Sequence, residues 1–262
     1  MSIDCKVGST NVSFDLWRPG VILNGNLVAF DTETDLIVDG QVPNFVIASV
    51  TDGVQGFFIA RQHLEAFFAV HHDKTFVLHN AAFDLAVLDK LGVSLSQLVD
   101  AGRIFDTGLL YRLLKLADTG ACHGRWSLDH VVEELLDIKL PKDVKAADGA
   151  DVRTTFDRFL KADGTPDYRE LLKVEHRPYL IYAGSDPVAT WILANELNRW
   201  ARRILGVSNF DVFDPKTYDA AGIQDMVELA PAWKKHGFLT HHIQLKAAIA
   251  LATIERNGIS RS

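Results

Sequence analysis

The sequence predicts an α/β domain, a mixed five-stranded sheet with flanking helices, and two observations point to it. Three short apolar runs with tight connections come first along the chain, and helical periodicity then alternates with two further short runs. Strands followed by alternating helices and strands fit a sheet that begins as an antiparallel meander and carries helices on its faces. At 262 residues, 48% of them hydrophobic, the chain is long enough to bury a substantial core without covalent staples.

Residues 1–23 are mixed in character, carry Pro19-Gly20, and read as an N-terminal extension. The apolar run at 27–30 marks a buried strand, and the runs at 45–50 and 57–59 mark two more, with Asp52-Gly53 as the turn between them. Leu64, Phe67 and Phe68 then recur at helical spacing, and 76–78 reads as a fourth strand. Leu85, Leu88 and Leu91 predict a helix ended by Gly92. A short fifth strand closes on Ile104-Phe105, and Leu109, Leu110, Leu113 and Leu114 begin another helix. Ser127 is placed to cap a helix carrying Leu128, Val131, Val132, Leu135 and Leu136. Residues 141–178 are more polar, with helical pieces expected around 151–161 and 167–174. A long helical pattern runs from about 179 to 205 and ends at Gly206. Residues 206–230 read as a linker, and an amphipathic helix from Ile243 to Ile254 stops at Asn257-Gly258. The organisation is therefore an extension (1–23), one catalytic-sized domain (24–205), and a linker with a terminal helix (206–262).

Composition excludes several classes. With 27 basic and 34 acidic residues the net charge is −7, which rules out a generic basic coat for nucleic acid. Contact with a polyanion must be local, or carried by metal ions that reverse the sign of an acidic site. Cys5 and Cys122 have no metal-ligand spacing, so neither a disulfide framework nor structural zinc is expected. No run approaches 18 apolar residues, and the start Met-Ser-Ile-Asp-Cys-Lys lacks the apolar stretch of a signal peptide. A soluble, cytoplasmic protein without membrane contact is the expectation.

Three segments carry chemistry. Asp31 and Glu33 lie two apart at the end of an apolar strand, so both side chains point to one face. Two such acids repel each other unless a cation sits between them, and oxygen-only donors suit Mg²⁺ or Mn²⁺. Taken alone, the pair also fits a solvated strand end. Asp84 follows Asn80 where a strand gives way to a helix; there it could cap the helix or face Asp31. Tyr182 and Asp186, four apart on a helix, share a face, as surface pairs also do.

In this order and at these element ends, the three segments resemble those of the DEDD (DnaQ-like) superfamily of 3′→5′ exonucleases, in its Tyr-containing branch. They are most similar to the proofreading domain of family A DNA polymerases. Residues 31–35, 80–84 and 182–186 look like the first, second and third exonuclease motifs. Phe105-Asp106-Thr107 and the segment from Ser127 to Leu140 resemble connecting segments, so the likeness covers about residues 24–205. It implies a ribonuclease H-like fold and a two-metal 3′→5′ exonuclease that hydrolyses single-stranded DNA to nucleoside 5′-monophosphates. It further implies that Asp31, Glu33, Asp84 and Asp186 hold two divalent ions, with Asp31 bridging both, while Tyr182 positions the attacking water. Thr34 and Asn80 would contact the terminal nucleotide, and Ile37, or its neighbour Leu36, would wedge against its base. An exoribonuclease of the same superfamily and a catalytically silent polymerase-docking or nucleic-acid-binding module are the alternatives.

Pro187 departs from the pattern: either a helix starts near Asp186 or the helix bends there. Asp106 reads as a helix cap, Asp35 as exposed, and His79 as a packing residue or, beside Asn80, a substrate contact. Adjacent His71-His72 and His241-His242 cannot share one metal on a helix. Lys142, Lys145, Arg153 and Arg158 could guide a phosphate backbone or form a solvated face. Residues 251–259 look like the start of a polymerase thumb, which fits a free-standing nuclease, a subunit paired with a polymerase, or part of a longer polymerase.

Overall fold

The computed structural model describes residues 2–38, 40–141, 143–214 and 240–256. Among these, seven strands form one mixed sheet in the order β1-β2-β5-β4-β3-β6-β7. The five expected strands are its centre and one edge. Strands β3 (Leu27–Thr34), β4 (Phe45–Thr51) and β5 (Gln55–Ile59) make the antiparallel meander. Strands β6 (Thr75–Leu78) and β7 (Ile104–Asp106) follow in parallel beside β3.

Residues 1–23, expected to be an extension of mixed character, carry two further strands of this sheet. Strands β1 (Ile3–Val7) and β2 (Thr10–Leu16) form a hairpin, and β2 pairs in parallel with β5. The reason is period-two alternation: Ile3, Cys5, Val7, Val12 and Phe14 are buried, while Asp4, Lys6, Asn11, Ser13 and Asp15 are exposed. Gly8, at φ +58°, makes the two-residue Gly-Ser turn between Val7 and Thr10.

Helices cover both faces of the sheet. On one face lie α4 (Thr107–Thr119), α5 (Leu128–Leu136) and α7 (Arg177–Leu205), burying Phe105, Leu110, Val132, Tyr179 and Leu193 with the strands. On the other lie α1 (Leu64–Val70), α2 (Ala81–Lys90), α3 (Ser96–Asp100) and α8 (His241–Arg256), around Phe30, Phe67, Phe76 and Leu88. The polar stretch holds short 3₁₀ turns at Val152–Thr154 and Phe156–Phe159 and the four-residue α6 (Tyr168–Leu171), close to the pieces expected there.

Helix α7 runs without a break through Pro187, so no helix begins at Asp186. It ends, as its sequence predicts, at Gly206 with φ +70°. Gly184 lets α7 lie against β1, because a Cβ there would collide with Cys5 Sγ. Helix α8 packs on α2, α4 and β7, anchored by the buried His241 ring, which stacks on Phe105 and accepts the Asp106 N–H at 2.9 Å. The expected stop at Asn257-Gly258, and most of the linker, lie outside the described residues. No described helix is long and apolar enough to cross a membrane.

Candidate active site

Strand β3 ends with its two acids on the face that α7 covers. Carboxylate oxygens of Asp31, Glu33 and Asp186 all lie within 4.8 Å of one another. Asp186 reaches them from α7, one turn after Tyr182 on the same helix. Three acids this close, Glu33 buried and Asp31 and Asp186 half-buried, resist ionisation. Burial first, then the charges of Asp84, Glu33 and Asp186, holds Asp31 well above the usual carboxylate range. Burial, Asp186 and Asp84 do the same to Glu33, and Arg153 partly offsets them. Burial pushes Asp186 up to about 7 against the opposing pull of Arg153. The Tyr182 phenol is raised above its ordinary value by burial, Asp186 and Glu33, so it is a proton donor at neutral pH rather than a base.

Asp84 is placed differently. It sits in the first turn of α2 but does not cap it; the N-cap is Asn80. Its Oδ1 accepts the Thr32 backbone N–H at 3.0 Å and the Thr32 hydroxyl at 2.6 Å. Thr32 lies between Asp31 and Glu33, so alternation along β3 turns it toward α2 while its neighbours face α7. Asp84 is thereby held beside the cluster. It opposes ionisation of Asp31 and Glu33, and burial pushes its own carboxyl up to about 7 despite the Thr32 bonds.

Asn80 is exposed and left-handed at φ +67°, a conformation Asn tolerates better than most residues. Asp106 fixes it there: its carboxylate accepts N–H groups from Asn80, Ala81, Gly108 and Leu109, joining the starts of α2 and α4. Asn80 borders two grooves. One, of about 280 Å³, includes Ile37, Val38 and Phe83; the other, of about 480 Å³, includes His79, Arg112 and Trp126. Ile37 is 68% exposed and Leu36 57%, so the loop offers both to solvent. Asp35 is half-buried rather than exposed: it accepts two bonds from Asn44 and closes the neck of that loop. Thr34 stands at a register shift at the end of β3 and donates its hydroxyl to the Asp35 carbonyl.

Among the described cations of the polar stretch, Arg153 is the one whose charge reaches Glu33, Asp186 and Tyr182. Arg158 is engaged by Asp148 at 2.6 Å and the Tyr179 hydroxyl at 3.1 Å, and Lys145 by Asp151 at 3.2 Å. Lys142 lies outside the described residues. His79 packs between Thr107 and the Trp126 carbonyl.

The donor set fits divalent cations. It is all oxygen, it gathers three carboxylates, and Glu33 Oε1 is buried with no hydrogen-bond partner among the described residues.

A family model described as 3′-5′ exonuclease matches residues 21–200. Among curated proteins none matches the chain. Trypanosoma brucei RNase D has a similar fold, with a TM-score of 0.50 at 13% identity, covering 78% of this chain and 65% of that one. Brucella melitensis NrnC gives 0.47 at 20% identity, covering 87% and 88%. A protein from Bifidobacterium adolescentis gives 0.46 at 22% identity, covering 71% of this chain and 38% of that one. The chain belongs to the 3′-5′ exonuclease family, of DEDD type, whose members use two divalent metal ions.

Proposed function

We propose that the chain removes nucleotides from the 3′ end of single-stranded DNA, releasing nucleoside 5′-monophosphates, in proofreading or end processing. The observation that carries the reading is the convergence of Asp31, Glu33 and Asp186, with Asp84 held beside them. Two divalent ions bound there would lower the pKa of an attacking water and offset charge on the phosphate and the leaving 3′ oxygen. Asp31 lies among the other acids, all three of which oppose its ionisation, and would be a ligand for the ions. Glu33 and Asp186 would hold the ions with Asp31, and Asp84 would contribute from beside them. Tyr182, protonated at neutral pH, orients the water by hydrogen bonding. Thr34 and Asn80 face the terminal nucleotide, and Ile37 offers an exposed apolar contact for its base.

Likeness of the C-terminal sequence to the start of a polymerase thumb favours DNA, and a polymerase domain or subunit as the partner. RNA is the second reading, already open in the sequence and favoured by the likeness in fold to T. brucei RNase D. Contacts to the 2′-hydroxyl, rather than the carboxylates, separate the two sugars. Parallel time courses on 5′-labelled DNA and RNA of one sequence test the choice. Faster loss of DNA supports the reading; a clear preference for RNA replaces it with RNA trimming.

A further inference from the structure

Pro187 creates a defect in α7 next to the site. Proline has no N–H, so the carbonyl four residues earlier, that of Ala183, loses its helical donor, and the ring also crowds that carbonyl. Ala183 is fully buried, so water cannot substitute for the lost donor. The structure supplies another donor: the hydroxyl of Ser49, itself fully buried on β4, donates to the Ala183 carbonyl at 2.6 Å. Ser49 is the register partner of Asp31 across the β3–β4 ladder, and Ala183 lies between Tyr182 and Asp186 on α7. A single bond therefore ties the helix that presents Asp186 and Tyr182 to the strand alongside Asp31.

We infer that Ser49 is a positioning residue: its hydroxyl replaces the donor removed by Pro187 and so sets Asp186 and Tyr182 against Asp31. This rests on the proposed roles of those three residues. A general packing role for Ser49 would not depend on residue 187. The inferred role does, because Pro187→Ala restores the backbone N–H and makes the hydroxyl redundant.

The test is a double-mutant cycle on the full chain: wild type, Ser49→Ala, Pro187→Ala and the double variant. Readouts are kcat, KM for a labelled single-stranded oligonucleotide, and the Mn²⁺ concentration giving half-maximal rate. Ser49→Ala should lower kcat about tenfold and raise the Mn²⁺ requirement severalfold with KM little changed, as expected of misplaced site groups. With Pro187→Ala present, the same substitution should change either quantity by less than about twofold. Ser49→Thr, which keeps the hydroxyl, should retain most activity. Equal losses in both backgrounds, or a loss confined to melting temperature, would overturn the inference. If Ser49→Ala alone does not fold, recovery of fold and activity on adding Pro187→Ala supports it, and failure to recover overturns it. Asp186→Ala runs alongside: if it keeps metal-dependent cleavage, the site reading itself is wrong, whatever the cycle shows.

Discussion

The two faces of β3 treat their acids in opposite ways. Toward α7, Asp31 and Glu33 meet Asp186, and Glu33 Oε1 has no protein partner among the described residues. Toward α2, Asp84 is held by two bonds from Thr32. Desolvation is the largest cause of the raised pKa at each carboxylate on either face. The difference lies in what offsets that cost. Hydrogen bonds do so in part at Asp84, whereas at the triad the Arg153 charge does so in part for Glu33 and Asp186. A carboxylate cluster left this uncompensated destabilises the fold by itself, and a bound cation would stabilise it.

The comparison predicts unequal losses. Asp31→Ala should have the largest effect, lowering the cleavage rate by about a thousandfold or more, because it removes several kcal/mol of metal-dependent stabilisation. The metal-free fold should be unharmed or more stable, since a like-charge cluster is relieved. A near-wild-type rate would break the comparison at its stronger side. Tyr182→Phe should come next, at about tenfold to a hundredfold in kcat, because orienting a water contributes less than the metals do. An unchanged rate would show that the phenol is not used.

Thr32→Val should be milder still for catalysis. It removes one charge-assisted bond from Asp84 at a cost of about 1.5–3 kcal/mol of stability, measurable by urea unfolding. It leaves the backbone donor in place, so the rate should fall by about tenfold or less. If Thr32→Val were as damaging as Asp31→Ala, the separation between held and open carboxylates would fail.

The smallest expected effect is a pH dependence. Asp84 and Asp186 are pushed up to about 7 from an ordinary 3.8. The metal-free native state thus binds protons that the unfolded chain has released. The stability these groups contribute is full below 3.8 and is lost as pH rises through about 7. Divalent ions must displace the same protons, so the rise in melting temperature on adding Mn²⁺ should be larger at about pH 8 than at about pH 6. An equal rise at both would mean that the acids do not titrate with metal binding.

Much of this was legible in the sequence, and the exceptions share a cause. Asp31 and Glu33 on one strand face, and Tyr182 and Asp186 on one helix face, follow from periodicity within single elements. Asp106 as a helix cap followed from its position before α4, although its further bonds to Asn80 and Ala81 did not. The Thr32–Asp84 bond, the Arg153 charge at the cluster and the Ser49–Ala183 bond all join residues distant in sequence, which local pattern cannot pair. The N-terminal hairpin is a different case. Its alternation and its Gly8-Ser9 turn were local signals, masked by the mixed composition of residues 1–23 as a whole.

The most direct test of the central claim is a time course on 5′-labelled single-stranded DNA with Mg²⁺, Mn²⁺ or EDTA, comparing wild type with Asp31→Ala/Asp186→Ala. A ladder that shortens from the 3′ end with metal, and disappears with EDTA and in the double variant, is the predicted result. Cleavage that persists in the folded double variant, or that proceeds equally in EDTA, would contradict the assignment of these carboxylates as the metal-binding centre.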